Sequence, residues 1–189
     1  MRWIALVPLK SGAERKSRLA PRFSPAERAA LSDRMARHVV DVLSQVERIK
    51  RTLLLSDRPL PALGTGWQPD PGQGLNPALE TARAALGLPL LVLHADLPLI
   101  EAEDIAALLD AAEASGAAIA PDRHGSGTNA VALAHAIPFR FVFGADSFRR
   151  HLALAGPAGT AVARWRLSLD VDTPDDLDAA CARGFSADV

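Results

Sequence analysis

The apolar positions of this chain recur with two different periods, and the alternation between them organises it. Residues 3–8 form a short apolar run of the kind a strand makes, and a polar, basic loop follows over 9–23. Ser24-Pro25-Ala26-Glu27 is a capping box with proline at the first helical position. Leu31, Met35, Val39, Val42 and Val46 then come at helical spacing, which predicts a long helix to about Arg48. Thr52 to Leu55 reads as a short buried strand, 57–76 as a Pro- and Gly-rich loop, and Pro77 to Leu86 as a helix. Leu90-Leu91-Val92-Leu93 is continuously apolar, as a parallel strand covered on both faces is. A helix from about Glu101 to Ala114 turns Ile105, Leu108 and Leu109 inward. Strands follow at 117–120 and 130–134, with a Gly-containing loop, 121–128, between them. Gly144 to Leu154 reads as a loop entering a helix, Val162 to Leu169 as strand-like, and Pro174 to Arg183 as the last helix.

Strands alternating with helices define an α/β fold with a largely parallel sheet between helical layers, and in such sheets ligands gather at the carboxyl ends of strands. No repeat or linker divides the sequence, so residues 1–189 read as one domain. Hydrophobic residues make up 49% and charged residues 23%, a globular balance. The apolar runs are too short to span a bilayer, so no membrane partner is expected. The N-terminal run leads into Lys10 without a small-residue cleavage site and reads as a strand, not a signal peptide. Cys181 is the only cysteine, which excludes a disulfide framework and fits a reducing, cytoplasmic setting.

Charge sharpens the picture. The net value of −1 conceals a basic first part, with 12 Lys/Arg against 5 Asp/Glu over residues 1–51, and an acidic remainder, with 9 against 17. Such a split suits a polyphosphate at one side and a cation at the other; it also suits ordinary solvated helix faces. Asp96 directly follows the apolar strand. Asp170 and Asp172 stand two apart on a segment read as extended, so their carboxylates share a side. Together the three could hold Mg²⁺, which takes oxygen ligands. Helix capping by Thr173 and Pro174 accounts for Asp175 and Asp176, but not for Asp170 or Asp172.

Lys10, Arg15, Lys16 and Arg18 lie in the loop after the first strand and could neutralise a triphosphate, although no Gly-Lys-Ser/Thr opens a helix there. A basic loop could equally serve nucleic acid, but a chain with no tyrosine and 5% aromatics lacks stacking platforms, and no nucleic-acid partner is expected. In Asp70-Pro71-Gly72-Gln73-Gly74-Leu75-Asn76-Pro77-Ala78 the glycines allow close backbone approach, and Asn76 could cap the helix or read a base edge. The segments 121–130 and 143–148 could cradle an anion or simply make turns. No nucleophilic triad suggests itself, and His94 beside Asp96 reads as a buried, hydrogen-bonded histidine.

Seven motifs in order carry a resemblance over nearly the whole chain. They are Val7-Pro8-Leu9-Lys10, Lys16-Ser17-Arg18-Leu19, Gly72 to Ala78, Ala95-Asp96-Leu97-Pro98, Gly127-Thr128-Asn129-Ala130, Phe143-Gly144 with Ser147-Phe148, and Asp170-Val171-Asp172-Thr173-Pro174. Together they resemble the 2-phospho-L-lactate guanylyltransferase family of coenzyme F-420 biosynthesis, which includes phosphoenolpyruvate and 3-phospho-D-glycerate guanylyltransferases. Residues 11–15 depart from the more apolar spacer of that family.

The resemblance implies a three-layer αβα fold with a mostly parallel mixed sheet, like that of nucleotide-diphosphosugar transferases. It also implies GTP as donor, a phosphorylated three-carbon acid as acceptor, and Mg²⁺ as cofactor. By motif, Asp96, Asp170 and Asp172 are implied as metal ligands. Pro8, Lys10, Lys16, Arg18, Gly74 and Asn76 are implied at the nucleotide, and Thr128, Asn129, Gly144 and Ser147 at the acceptor. Asp96, Asp172 and Lys16 then form the catalytic centre. Three other readings stay open: a related transferase acting on a sugar phosphate or molybdopterin, a non-catalytic GTP-binding module, and a haloacid-dehalogenase-type phosphatase. The last is disfavoured because only 16 residues follow Thr173. A homodimer is compatible with the main reading, though no residue marks one.

Overall fold

The computed structural model describes residues 1–9 and 15–188. Among the described residues, seven strands form one sheet: β1 (Trp3–Pro8), β2 (Ile49–Ser56), β3 (Gly66–Pro69), β4 (Leu90–Leu93), β5 (Ala117–Pro121), β6 (Thr128–Leu133) and β7 (Gly159–Ala161). Their order across the sheet is β3-β2-β1-β4-β6-β5-β7. β6 runs antiparallel to both of its neighbours, β4 and β5, and every other pairing is parallel. Helices α1 (Pro25–Gln45) and α3 (Ala102–Ser115) cover one face of the sheet. Helices α2 (Leu75–Leu86) and α4 (Ser147–Ala155) cover the other.

Alternation along the strands builds these two faces. Ala5 and Val7 of β1 and Leu91 and Leu93 of β4 pack under α1 and α3. Leu6, Leu90 and Val92 pack under α2 and α4. With both faces covered, β4 is buried at every position, as its continuous apolar run requires. The capping box at Ser24 and Glu27 starts α1 where expected, with Pro25 at the first helical position.

Three differences from the sequence-based expectation concern the edges. Within 57–76 the chain forms a short edge strand, β3, paired to β2. Residues 162–169 are not a strand: β7 has ended at Ala161, and Trp165–Ser168 is a single helical turn, α5. That turn buries only Leu167 while Trp165 stays 48% exposed, so its apolar content came from a surface residue. Asp170 and Asp172 lie on irregular chain before the last helix, α6 (Pro174–Cys181).

A third, smaller apolar cluster explains how distant segments meet. Leu19 from the basic loop, Leu31 and Met35 from α1, Leu169 and Val171 before α6, and Leu177 and Ala180 within it pack together. Leu19 is fully buried there, on a 3₁₀ turn (Ser17–Leu19) that carries Lys16 and Arg18 on its shoulder. The cluster therefore anchors the basic loop against the acidic C-terminal segment. Leu19→Ala is expected to destabilise the fold by about 2–4 kcal/mol through the cavity it leaves, read as a lower urea midpoint; an unchanged midpoint would show that the loop is not anchored there.

Candidate active site

β1 and β4 are neighbours in the sheet, yet the chain leaves β1 toward β2 on one side and returns to β4 on the other. The crevice beyond their carboxyl ends is thus the topological switch point of the sheet. A cleft of about 400 Å³ opens there. Pro8 at the end of β1, Lys16 and Arg18 from the following loop, Leu75 at the start of α2, and Asp96 and Asp172 line it. Lys10 lies outside the described residues.

Lys16 and Asp96 meet at the centre of this cleft. The Lys16 ammonium donates to Asp96 Oδ2 and lies 3.6 Å from Asp172 Oδ1. The side chains of Lys16 and Asp96 keep only 10% and 21% of their exposure. Burial opposes both charges, but each charge outweighs it for the other. Lys16 is held above the usual lysine range by Asp96, with Asp172 and Asp170 adding. Asp96 is held below the usual carboxylate range by Lys16, with His94 adding.

Lys16 reaches this position from a left-handed backbone (φ 53°), unusual for a residue with a side chain. Loop contacts support it. Arg28 of α1 donates to the carbonyls of Arg15 and Phe23, at 3.3 and 3.0 Å, and Arg15 pairs with Asp33 at 2.6 Å.

The second acidic element is tied to the first through the backbone: Val171 N donates to Asp96 O at 3.0 Å. With Val171 buried, Asp170 and Asp172 flank it. Asp172 accepts from exposed Arg18 at 2.7 Å. Asp170 sits deeper and accepts from Asn129 Nδ2 at 3.0 Å. Burial first, and then the charge of Asp96, raise its pKa.

The three carboxylates do not form a ready-made cage. Among the described residues, no group of three His, Cys, Asp or Glu side chains is placed to hold an ion together. Asp172 turns toward Arg18 and Lys16, while Asp170 is held from behind by Asn129. The donor set still fits a cation that needs only one or two carboxylates besides substrate oxygens and water. Asp96 Oδ1 is buried with no hydrogen-bond partner among the described residues, and Asp170 feels the Asp96 charge.

The other expected contacts divide. Gly74 caps α2 with φ +96°, a conformation that favours glycine, and Leu75 after it lines the cleft. Asn76 does not cap the helix. Its Nδ2 donates to Phe143 O at 3.0 Å and its Oδ1 accepts from Phe143 N at 2.8 Å, so both ends of the amide engage one residue of the chain. Asn76 thereby pins the 139–143 segment to α2. His94 departs from the expectation of a hydrogen-bonded histidine at one nitrogen: its ring stacks on Phe143 at 5.2 Å, while Nε2 is buried with no partner among the described residues.

The start of α4 is tied to the loop before β6 by Phe148 N, which donates to Ser126 O at 3.1 Å, while Thr128 and Asn129 turn to different partners. Ser147 is 1% exposed and its N–H bonds Gly144 O at 3.2 Å; Gly144 has φ +127°. The Thr128 hydroxyl is buried against His151, and the Asn129 amide is buried against Asp170 and Leu167 O.

Sequence reasoning missed His151. Val142 N donates to its Nε2 at 2.9 Å, so the ring proton sits on Nδ1 and is donated to Thr128 Oγ1 at 3.0 Å. A second ring proton would face the Val142 N–H. Only the pairing of a helix histidine with a strand threonine, 23 residues apart, reveals this role, and no local pattern encodes it.

The fold is an α/β one of the nucleotide-diphospho-sugar transferase type. The chain superimposes with a TM-score of 0.77 on a nucleotide-diphospho-sugar transferase-type protein of Desulfovibrio desulfuricans G20, at 16% identity over 95% of this chain and 87% of that one. For 2-C-methyl-D-erythritol 4-phosphate cytidylyltransferase of Thermus thermophilus the TM-score is 0.56, at 18% identity over 97% and 98%.

Sequence narrows the class: residues 3–186 match the guanylyl transferase CofC-like family, and the chain belongs to it. Relatives named phosphoenolpyruvate guanylyltransferase include one from Sphaerobacter thermophilus, 39% identical over 94% of this chain and 92% of its own. Another, from Chloroflexus aggregans, is 36% identical over 93% and 95%.

Burial, with the nearby charges of Arg150 and His94, pushes His151 down to about 4, from 6.5 for an unperturbed histidine. Between these values the unfolded chain binds a proton that the folded chain does not. The neutral ring's contribution is therefore complete above pH 6.5 and is lost as pH falls toward 4, by up to about 3 kcal/mol. His151→Gln is expected to flatten that part of the pH dependence of unfolding free energy; a slope equal to wild type would assign the acid sensitivity to other groups.

Proposed function

We propose that this chain transfers the guanylyl group of GTP to the phosphate of a three-carbon phospho-acid, with release of pyrophosphate. The observation that carries the reading is the Lys16–Asp96 pair at the β1/β4 switch point, in a chain of the guanylyl transferase family. Phosphoenolpyruvate is the first candidate acceptor, supported by the names of the relatives; 3-phospho-D-glycerate and 2-phospho-L-lactate are the others. The step belongs to coenzyme F-420 biosynthesis on this reading.

An acceptor phosphate oxygen attacks the α-phosphorus of GTP in line. The new P–O bond forms as the bond between the α-phosphorus and the bridging oxygen breaks, and pyrophosphate leaves with that electron pair. A phosphate monoester has a second pKa of about 6, so the nucleophile is already ionised at neutral pH and needs no general base. The chain's part is positioning and charge. Lys16 neutralises Asp96 in the cleft; with nucleotide present, its ammonium passes to a phosphate oxygen, where it stabilises the charge of the transition state. Arg18, paired with Asp172, is placed to follow. Mg²⁺ is the proposed cofactor: Asp96 with Asp170 or Asp172 would hold it, and it would supply charge neutralisation at the phosphates.

Pyrophosphate release from GTP with each of the three acceptors, with and without Mg²⁺ and with CTP, ATP and UTP alongside, tests the reading. Turnover with GTP and one phospho-acid is expected. Turnover only with another nucleotide, or none from a folded protein, would overturn it. Lys16→Ala should lower kcat/KM for GTP by about 10²–10³-fold, with acceptor KM little changed.

A further inference from the structure

Asn129 is 2% exposed, on the strand that lies between β4 and β5, and it joins three parts of the site. Its carbonyl accepts from His94 N at 2.9 Å, two residues before Asp96. Its Nδ2 donates to Leu167 O and to Asp170 Oδ1, both at 3.0 Å. Both amide hydrogens are therefore used, one on a carbonyl that cannot move without α5 and one on the carboxylate.

Asp170 lies on irregular chain and beside the negative charge of Asp96. Without a donor, repulsion would turn its carboxylate away from Asp96 toward solvent. Val171, bonded to Asp96 O, fixes the backbone, and the Asn129 amide is the side chain that holds the carboxylate among the described residues. Since the Asn129 amide hydrogens are saturated by these bonds, they have nothing left to offer an acceptor.

We propose that Asn129 is a positioning residue for Asp170: its amide holds the Asp170 carboxylate beside Asp96 and so sets the affinity of this acidic pair for a divalent cation. The inference rests on the functional reading above. It moves Asn129 from the acceptor contacts that the motif resemblance implied to the support of a carboxylate. Groups that orient such carboxylates from behind change metal affinity or activity by about ten- to hundredfold when removed.

The test titrates Mn²⁺, as a paramagnetic probe in place of Mg²⁺, into the full chain as wild type, Asn129→Ala, Asp170→Ala and the double variant. Turnover is measured in parallel against Mg²⁺ and acceptor. Asn129→Ala should weaken Mn²⁺ binding and raise the Mg²⁺ needed for half-maximal rate, each by about ten- to hundredfold, with acceptor KM unchanged. The double variant should be no weaker than Asp170→Ala alone. Asn129→Ser, too short to reach both acceptors, carries the comparison should Asn129→Ala not fold. Wild-type Mn²⁺ affinity in the folded variant, a rise in acceptor KM alone, or a full further loss in the double variant would each overturn the assignment. A wild type that is active but binds no divalent ion would overturn the metal reading and this inference with it.

Discussion

The site depends on one ion pair, Lys16 on Asp96, made in a cleft where neither charge is fully hydrated. Losing water disfavours both ions, and the pair persists because each neutralises the other at contact distance. Removal of either partner would leave a poorly hydrated charge without its nearest counter-ion. Asp96 Oδ1 already lacks a partner among the described residues, and Asp170 stands close enough to feel the Asp96 charge. On the proposed reading, a nucleotide would draw Lys16 away from Asp96.

The fold serves this pair from three directions. β4 delivers Asp96 at its carboxyl end, where the sheet changes direction. The apolar cluster around Leu19, Val171 and Leu177 brings the basic loop and the acidic segment to the same place, although they lie about 150 residues apart in sequence. Behind them, Asn129 and His151 use buried hydrogen bonds to hold Asp170 and the 139–143 segment. Such polar contacts are saturated, and their role is to fix geometry.

Much of this was legible in the sequence wherever the signal was local. The α1 capping box, the continuous apolar run of β4 and the helical spacing of Ile105, Leu108 and Leu109 each map onto an element. Legibility ended where meaning depends on a partner far along the chain. Asn76 looked like a helix cap or a base reader, but it bonds the peptide of Phe143, 67 residues away. His94 looked hydrogen-bonded, yet its Nε2 has no partner among the described residues. Residues 162–169 carried apolar side chains in a strand-like order, yet β5, already paired to β6, offers β7 only three residues of pairing before the chain turns into α5. The acidic residues could be found by position, but not their division into one facing Lys16, one held by Asn129 and one turned to Arg18.

The most direct measurement is a crystal structure of the complex with GTP and Mg²⁺. The account predicts the triphosphate in the crevice between β1 and β4, with Lys16 Nζ moved from Asp96 onto a phosphate oxygen. A triphosphate bound elsewhere, or a nucleotide complex in which Lys16 remains on Asp96, would contradict it.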